Sequence, residues 1–139
     1  MSDLDPGTYA RVQSFSRQGD ALLEQGRTKE AIATYVQALS LLPDPIHSWE
    51  AATWLFAAIG DTYWKIQDYE RANKALDSAL RSPGGIGNPF VHLRMGQVQY
   101  ELGDRESATD ELLRAYMGAG TPIFDGEDLR YLQLIAHLI

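Results

Sequence analysis

The chain has 139 residues, of which 45% are hydrophobic and 22% charged, enough for one cored domain and too apolar for wholesale disorder. Twelve Lys and Arg stand against nineteen Asp and Glu, a net charge of −7, which disfavours nucleic-acid binding and a polybasic membrane-surface role. The absence of cysteine excludes disulfides, thiolate metal sites and a cysteine nucleophile, and the N-terminal residues Met1 to Gly7 lack the basic and apolar regions of a secretory signal, so a cytoplasmic location is expected.

Helix punctuation divides the chain into seven expected helices, at about 6–25, 28–42, 45–67, 69–81, 89–102, 105–118 and 126–138. Asp5-Pro6, Asp44-Pro45 and Asn88-Pro89 each pair a good N-cap with Pro at the first helical position. Asp68 and Asp104 are placed to cap the fourth and sixth helices. The third is expected to be long, because extra residues near 44–52 lengthen its start. Segment 82–88, Ser-Pro-Gly-Gly-Ile-Gly-Asn, reads as a flexible connection, and Gly118 to Pro122 as another loop. Before the last helix, Asp125 is the expected N-cap, with Asp128 at the third position. That helix carries Leu129, Tyr131, Leu132, Leu134, Ile135, Leu138 and Ile139 around much of its surface, which suits either a buried cap or a homodimer contact.

An internal repeat agrees with these local readings. Gly19, Gly60 and Gly96 are each followed twelve residues later by Ala31, Ala72 and Ala108, and seven further on by Ala38, Ala79 and Ala115. Small residues at fixed spacing on paired helices mark where two backbones must approach closely.

The repeat resembles the tetratricopeptide repeat, a helix–turn–helix unit of about 34 residues. The first unit matches through Phe15, Gly19, Leu22, Gly26, Ala31, Tyr35, Ala38, Leu39 and Pro43. The second carries Phe56, Ile59, Gly60, Tyr63, Ala72, Leu76, Ala79 and Leu80, and the third Met95, Gly96, Tyr100, Gly103, Ala108, Leu112 and Ala115. Gln67 departs from the usual turn Gly, and extra residues near 44–52 and 83–88 stretch the spacing. The resemblance implies an all-α fold in a single domain, 1–139. It would be an α-solenoid of three units, at about 12–45, 53–86 and 89–120, closed by a capping helix at 126–138.

No catalytic constellation is present. His47, His92 and His137 lie in separate helices, and His92 occupies a core-like position where a satisfied structural histidine is expected. HExxH, GxSxG and phosphate-loop motifs are absent; Gly84-Gly85-Ile86-Gly87 follows a helix and lacks the required Lys and Ser/Thr. The expectation is a non-enzymatic protein that uses no cofactor or metal.

In tetratricopeptide proteins the first helices of successive units line a concave surface that holds a peptide or protein segment. The resemblance places Asp20 and Glu24 of unit one there, with Trp54, Asp61, Trp64 and Lys65 of unit two. Unit three contributes Phe90, Arg94, Gln97, Tyr100 and Glu101. Aromatics flanked by charge are what binding hot spots are built from. Trp54 is equally compatible with the core; Trp64, next to the core residue Tyr63, is expected to be at least half-exposed. Family members that clamp a carboxylate use Lys, Asn and Arg, whereas here Ser16, Asp20 and Ala58 stand at those positions and only Arg94 fits. A basic or mixed-charge protein partner is therefore expected. The stretch Arg114 to Leu132 is also similar to the tail of small bacterial tetratricopeptide proteins taken to be immunity proteins, which implies a toxin domain as partner. The runner-up is a scaffold, secretion chaperone or adaptor that binds an extended peptide. The acidic excess is uneven: residues 85–139 hold eight acids and four bases, against five and four in residues 1–43.

Overall fold

In the computed structural model, which describes residues 3–139, the chain folds as seven α-helices with no strand among those residues. They are α1 (Pro6–Glu24), α2 (Thr28–Ser40), α3 (Glu50–Lys65), α4 (Tyr69–Leu80), α5 (Pro89–Glu101), α6 (Arg105–Ala119) and α7 (Leu129–Ile135). Short 3-10 turns occupy Ile46–Ser48, Thr121–Phe124 and Ala136–Leu138. Helices pair as α1/α2, α3/α4 and α5/α6, and the pairs stack in chain order into a solenoid.

The repeated small residues set this pairing. A Cβ placed on Gly19 would lie 2.5 Å from the Tyr35 ring, on Gly60 2.6 Å from Leu76 Cγ, and on Gly96 2.7 Å from Leu112 Cγ. Each glycine thus seats one large side chain, sixteen positions later, against the bare backbone of its partner helix. The six alanines that complete the pattern are wholly buried. A larger residue at any of these points would separate the two helices of a unit.

Side-chain caps fix most helix starts. Asp5 accepts from Thr8 N at 3.1 Å, Asn88 from Phe90 N at 3.0 Å, Asp68 from Arg71 N at 3.2 Å and Asp104 from Ser107 N at 3.0 Å. Gln67 takes the turn in place of glycine with φ +62°, where Gly26 and Gly103 have φ +76° and +90° at the other two turns.

Three local expectations are corrected. Asp44-Pro45 does not open a helix: Pro45 is extended (φ −78°, ψ 126°) and leads into the 3-10 turn. The Trp49 indole N–H then ties back to the Pro43 carbonyl at 2.7 Å, so α3 begins only at Glu50. The segment 82–88 is not a loose connection. The Thr53 hydroxyl donates to the Pro83 carbonyl at 2.6 Å, and Gly87 N–H donates to His92 Nε2 at 2.8 Å. His92, 3% exposed, donates from Nδ1 to Glu111 at 2.6 Å, so both ring nitrogens are satisfied within the fold. Finally, the last helix does not span 126–138. Asp125 is extended and Gly126 sits at φ +81°, so α7 starts after Asp128, whose carboxylate accepts from Arg130 N at 2.9 Å. Asp128, not Asp125, is the N-cap.

Candidate functional site

Helices α1, α3 and α5 carry the residues expected on the concave face, and the C-terminal segment decides which of them solvent reaches. Because α7 is delayed by Gly126, the preceding residues are free to turn toward α5 and α3. Glu127 does so. Its Oε1 accepts from Arg94 Nη1 at 2.8 Å and from Gln97 Nε2 at 2.6 Å. Arg94 Nε donates in turn to Asp61 Oδ1 at 2.7 Å, and Lys65 meets the other Asp61 oxygen at 3.1 Å. The Arg94 side chain is only 12% exposed and its guanidinium lies 5.0 Å from the Phe90 ring centroid and 5.9 Å from that of Trp64. A buried cation is tolerated here because two carboxylates and two aromatic rings surround it.

One turn later Tyr131 extends the same contact. Its ring meets Tyr100 edge-on at 5.4 Å and Trp64 at 6.0 Å. Its hydroxyl donates to Glu101 at 2.7 Å, and Arg130 reaches the same carboxylate at 3.1 Å. Burial, followed by the Glu101 hydrogen bond and charge, pushes the Tyr131 phenol well above its ordinary value. Tyr35, buried against Asp20, is shifted upward for the same reasons.

The expected site residues therefore divide. Asp20, Glu24, Trp54, Lys65 and Phe90 are exposed. Asp61, Trp64, Arg94, Tyr100 and Glu101 are half-buried, joined to the C-terminal segment directly or through Arg94. Gln97, expected at the surface, is fully buried beneath Glu127, because its amide bridges Glu127 and Arg94. Trp54, left open between core and surface, is 38% exposed.

Several participants were not singled out from the sequence. Glu127 lies between the expected capping residues Asp125 and Asp128, and Arg130 falls outside the repeat positions. Tyr131 was counted only as an apolar helix residue. The available signal was Arg94 itself, a lone cation at an inward position that needed carboxylate partners. On α7, Tyr131 and Ile135 are buried with Phe124, whereas Leu129, Leu138 and Ile139 remain exposed. Among the described residues no group of three His, Cys, Asp or Glu is arranged to hold a metal ion, and no helix is long and apolar enough to cross a membrane.

Comparisons with known proteins agree with this architecture. The chain is similar to the C-terminal domain of an FK506-binding protein from Plasmodium falciparum, with a TM-score of 0.74 and 16% identity, covering 99% of this chain and 94% of that one. The Arabidopsis OM64 domain gives a TM-score of 0.74 at 14% identity, covering 94% and 98%. The second such domain of human RPAP3, solved with the HSP70 peptide SGPTIEEVD, gives 0.71 at 18% identity, covering 94% and 97%. No curated protein sequence matches the chain. Tetratricopeptide-repeat family models match residues 12–45 and 57–122, most of its length, and neither describes an enzyme. The chain belongs to the tetratricopeptide-repeat family and is a protein–protein interaction module.

Proposed function

We propose that this protein binds an extended basic or mixed-charge segment of another protein along the part of the concave face that units one and two leave open. The observation that carries this reading is the division of charge on that face. Asp20 and Glu24 are exposed and take part in no ion pair among the described residues, and Trp54 stands exposed on the neighbouring helix. In unit three, by contrast, Glu101 and Arg94 already have internal partners. Exposed carboxylates that no cation neutralises, together with an exposed aromatic ring, attract Lys and Arg and repel acidic segments.

The structural neighbours solved with acidic peptides, SGPTIEEVD and SRMEEVD, set a useful contrast. Here Asp20 opposes such a ligand, and the inward cation Arg94 is already filled by the Glu127 carboxylate. Panning a displayed heptapeptide library on the full chain tests the reading. Enrichment of Arg and Lys, with binding that weakens as salt rises, is the expected result. Preferential binding of SRMEEVD would overturn it.

A second reading, a cognate inhibitor of a toxin with a basic cleft, draws on the similarity of Arg114 to Leu132 to bacterial immunity proteins. The same acidic surface would serve it through electrostatic steering. Much of that stretch has a structural task, since Glu127, Arg130 and Tyr131 pack inward, so the similarity favours the peptide-binding reading no less. Mixing the purified protein with the product of a neighbouring toxin gene separates the two: a stoichiometric complex with loss of toxin activity is expected only of the inhibitor.

A further inference from the structure

Upstream of the repeated positions, the N-terminal segment of the chain and the start of α3 flank a half-open cavity of about 660 Å³. Among the described residues its wall contains three aromatic side chains, Tyr9, Trp49 and Trp54, and two carboxylates, Asp3 and Glu50, with no Lys or Arg. Two of the rings are held in place. The Trp49 indole N–H is committed to the Pro43 carbonyl, and the Tyr9 hydroxyl accepts from Gln13 Nε2 at 2.9 Å. Neither Asp3 nor Glu50 has an ion-pair partner among the described residues, and both are exposed.

We propose that this cavity is a receptor for a single cationic side chain, an arginine before a lysine, presented by a protein partner. The chemistry follows from the wall. Aromatic faces attract a cation through their quadrupoles, and the carboxylates supply charge and hydrogen-bond acceptors. A planar guanidinium uses both at once by stacking on a ring while its edge N–H groups meet a carboxylate, which an ammonium cannot do. The starts of α1 and α3 oppose this with about half a positive charge each. Asp3, Glu50 and the α1 cap Asp5 bring three full negative charges, so the local sign is negative. The volume lies within the range of roughly 300–1,000 Å³ common for small-ligand sites, ample for one long side chain. The site deepens the concave-face reading by naming an anchor residue in the ligand, and rests on it only in taking that ligand to be a protein segment.

The test is a titration of the full chain with N-acetyl-arginine amide, followed through the indole N–H resonances of Trp49, Trp54 and Trp64. Saturable shifts of Trp49 and Trp54 with Trp64 unmoved are expected. The uncharged isostere N-acetyl-citrulline amide should bind about tenfold more weakly or not at all. Trp54→Ala should abolish the response, and Glu50→Gln, which removes charge without altering shape, should weaken it several-fold. Equal binding of the citrulline compound, or an unchanged response in both variants, overturns the proposal. The two readings fail separately. Arginine amide bound in the cavity without any enriched basic peptide would refute the concave-face reading alone. A basic peptide that perturbs Asp20 and Trp54 while Trp49 stays unmoved and arginine amide fails to bind would refute the cavity alone.

Discussion

The two ends of the face carried by α1, α3 and α5 leave similar residues in opposite environments. At the unit-three end, Arg94, Tyr100, Glu101 and Trp64 are engaged by Glu127, Arg130 and Tyr131 of the same chain, so charge and aromatic surface become internal structure. Toward unit one, Asp20, Glu24 and Trp54, with Tyr9 and Glu50 upstream, face solvent, with no such segment over them among the described residues. A solenoid must end somewhere, and its last unit leaves an unpaired surface that a cap has to cover. Here the cap covers it as a ligand would, with a carboxylate on the arginine and a tyrosine against the aromatics. The composition of a repeat surface therefore does not by itself identify a binding site. What distinguishes the ends among the described residues is that Glu127, Arg130 and Tyr131 return over one of them.

The largest expected effect breaks both ends together. Gly60→Leu drives a branched side chain into Leu76 at the centre of the solenoid, and a loss of about 3 kcal/mol or more in chemical denaturation is expected. Arg94→Ala should act on one end. It leaves Glu127 half-buried without its cation and Asp61 with only the exposed Lys65, with an expected cost of about 3 kcal/mol and a collapse of hydrogen-exchange protection in α7 ahead of α1 to α4. A paired substitution sharpens the contrast. Trp64→Ala removes the ring under Tyr131 and Arg94 and should cost about 1–2 kcal/mol, whereas Trp54→Ala should change stability by no more than about 0.5 kcal/mol while weakening partner binding. Equal effects of the two on stability would remove the distinction between the ends.

The smallest expected effect is alkaline. The Tyr131 phenol is held protonated in the folded chain and ionises near its ordinary value when unfolded. Its stabilising contribution is thus complete below about pH 10 and lost as pH rises beyond it. Tyr35 behaves alike in unit one through Asp20, so Tyr131→Phe should remove only the C-terminal share of the alkaline loss, visible as a retained α7 signal at high pH.

The repeat was legible because Gly60 and Ala72 answer to a packing requirement that recurs at fixed spacing, which a sequence displays directly. The cap was not. Glu127 reaches Arg94 across 33 positions, and only the positive φ of Gly126 turns it inward, so the local pattern of Asp125, Glu127 and Asp128 suggested nothing beyond an N-terminal cap. The acidic excess of residues 85–139 was legible as arithmetic, but Glu101, Glu111 and Glu127 meet cationic or hydrogen-bonding partners within the fold. The cavity escaped for another reason. Tyr9, Trp49 and Glu50 precede the repeat positions from which a concave surface is inferred, so they carried no assigned role.

The division of the concave face is tested most directly by mapping a library-enriched basic peptide onto the full chain by NMR. Perturbations should fall on α1 and the first half of α3, around Asp20, Trp54 and Trp49, while the buried Gln97 side-chain amide and the Tyr131 resonances stay in place. Shifts centred on Gln97 and Arg94, with residues 127–135 released from the surface, would contradict the account.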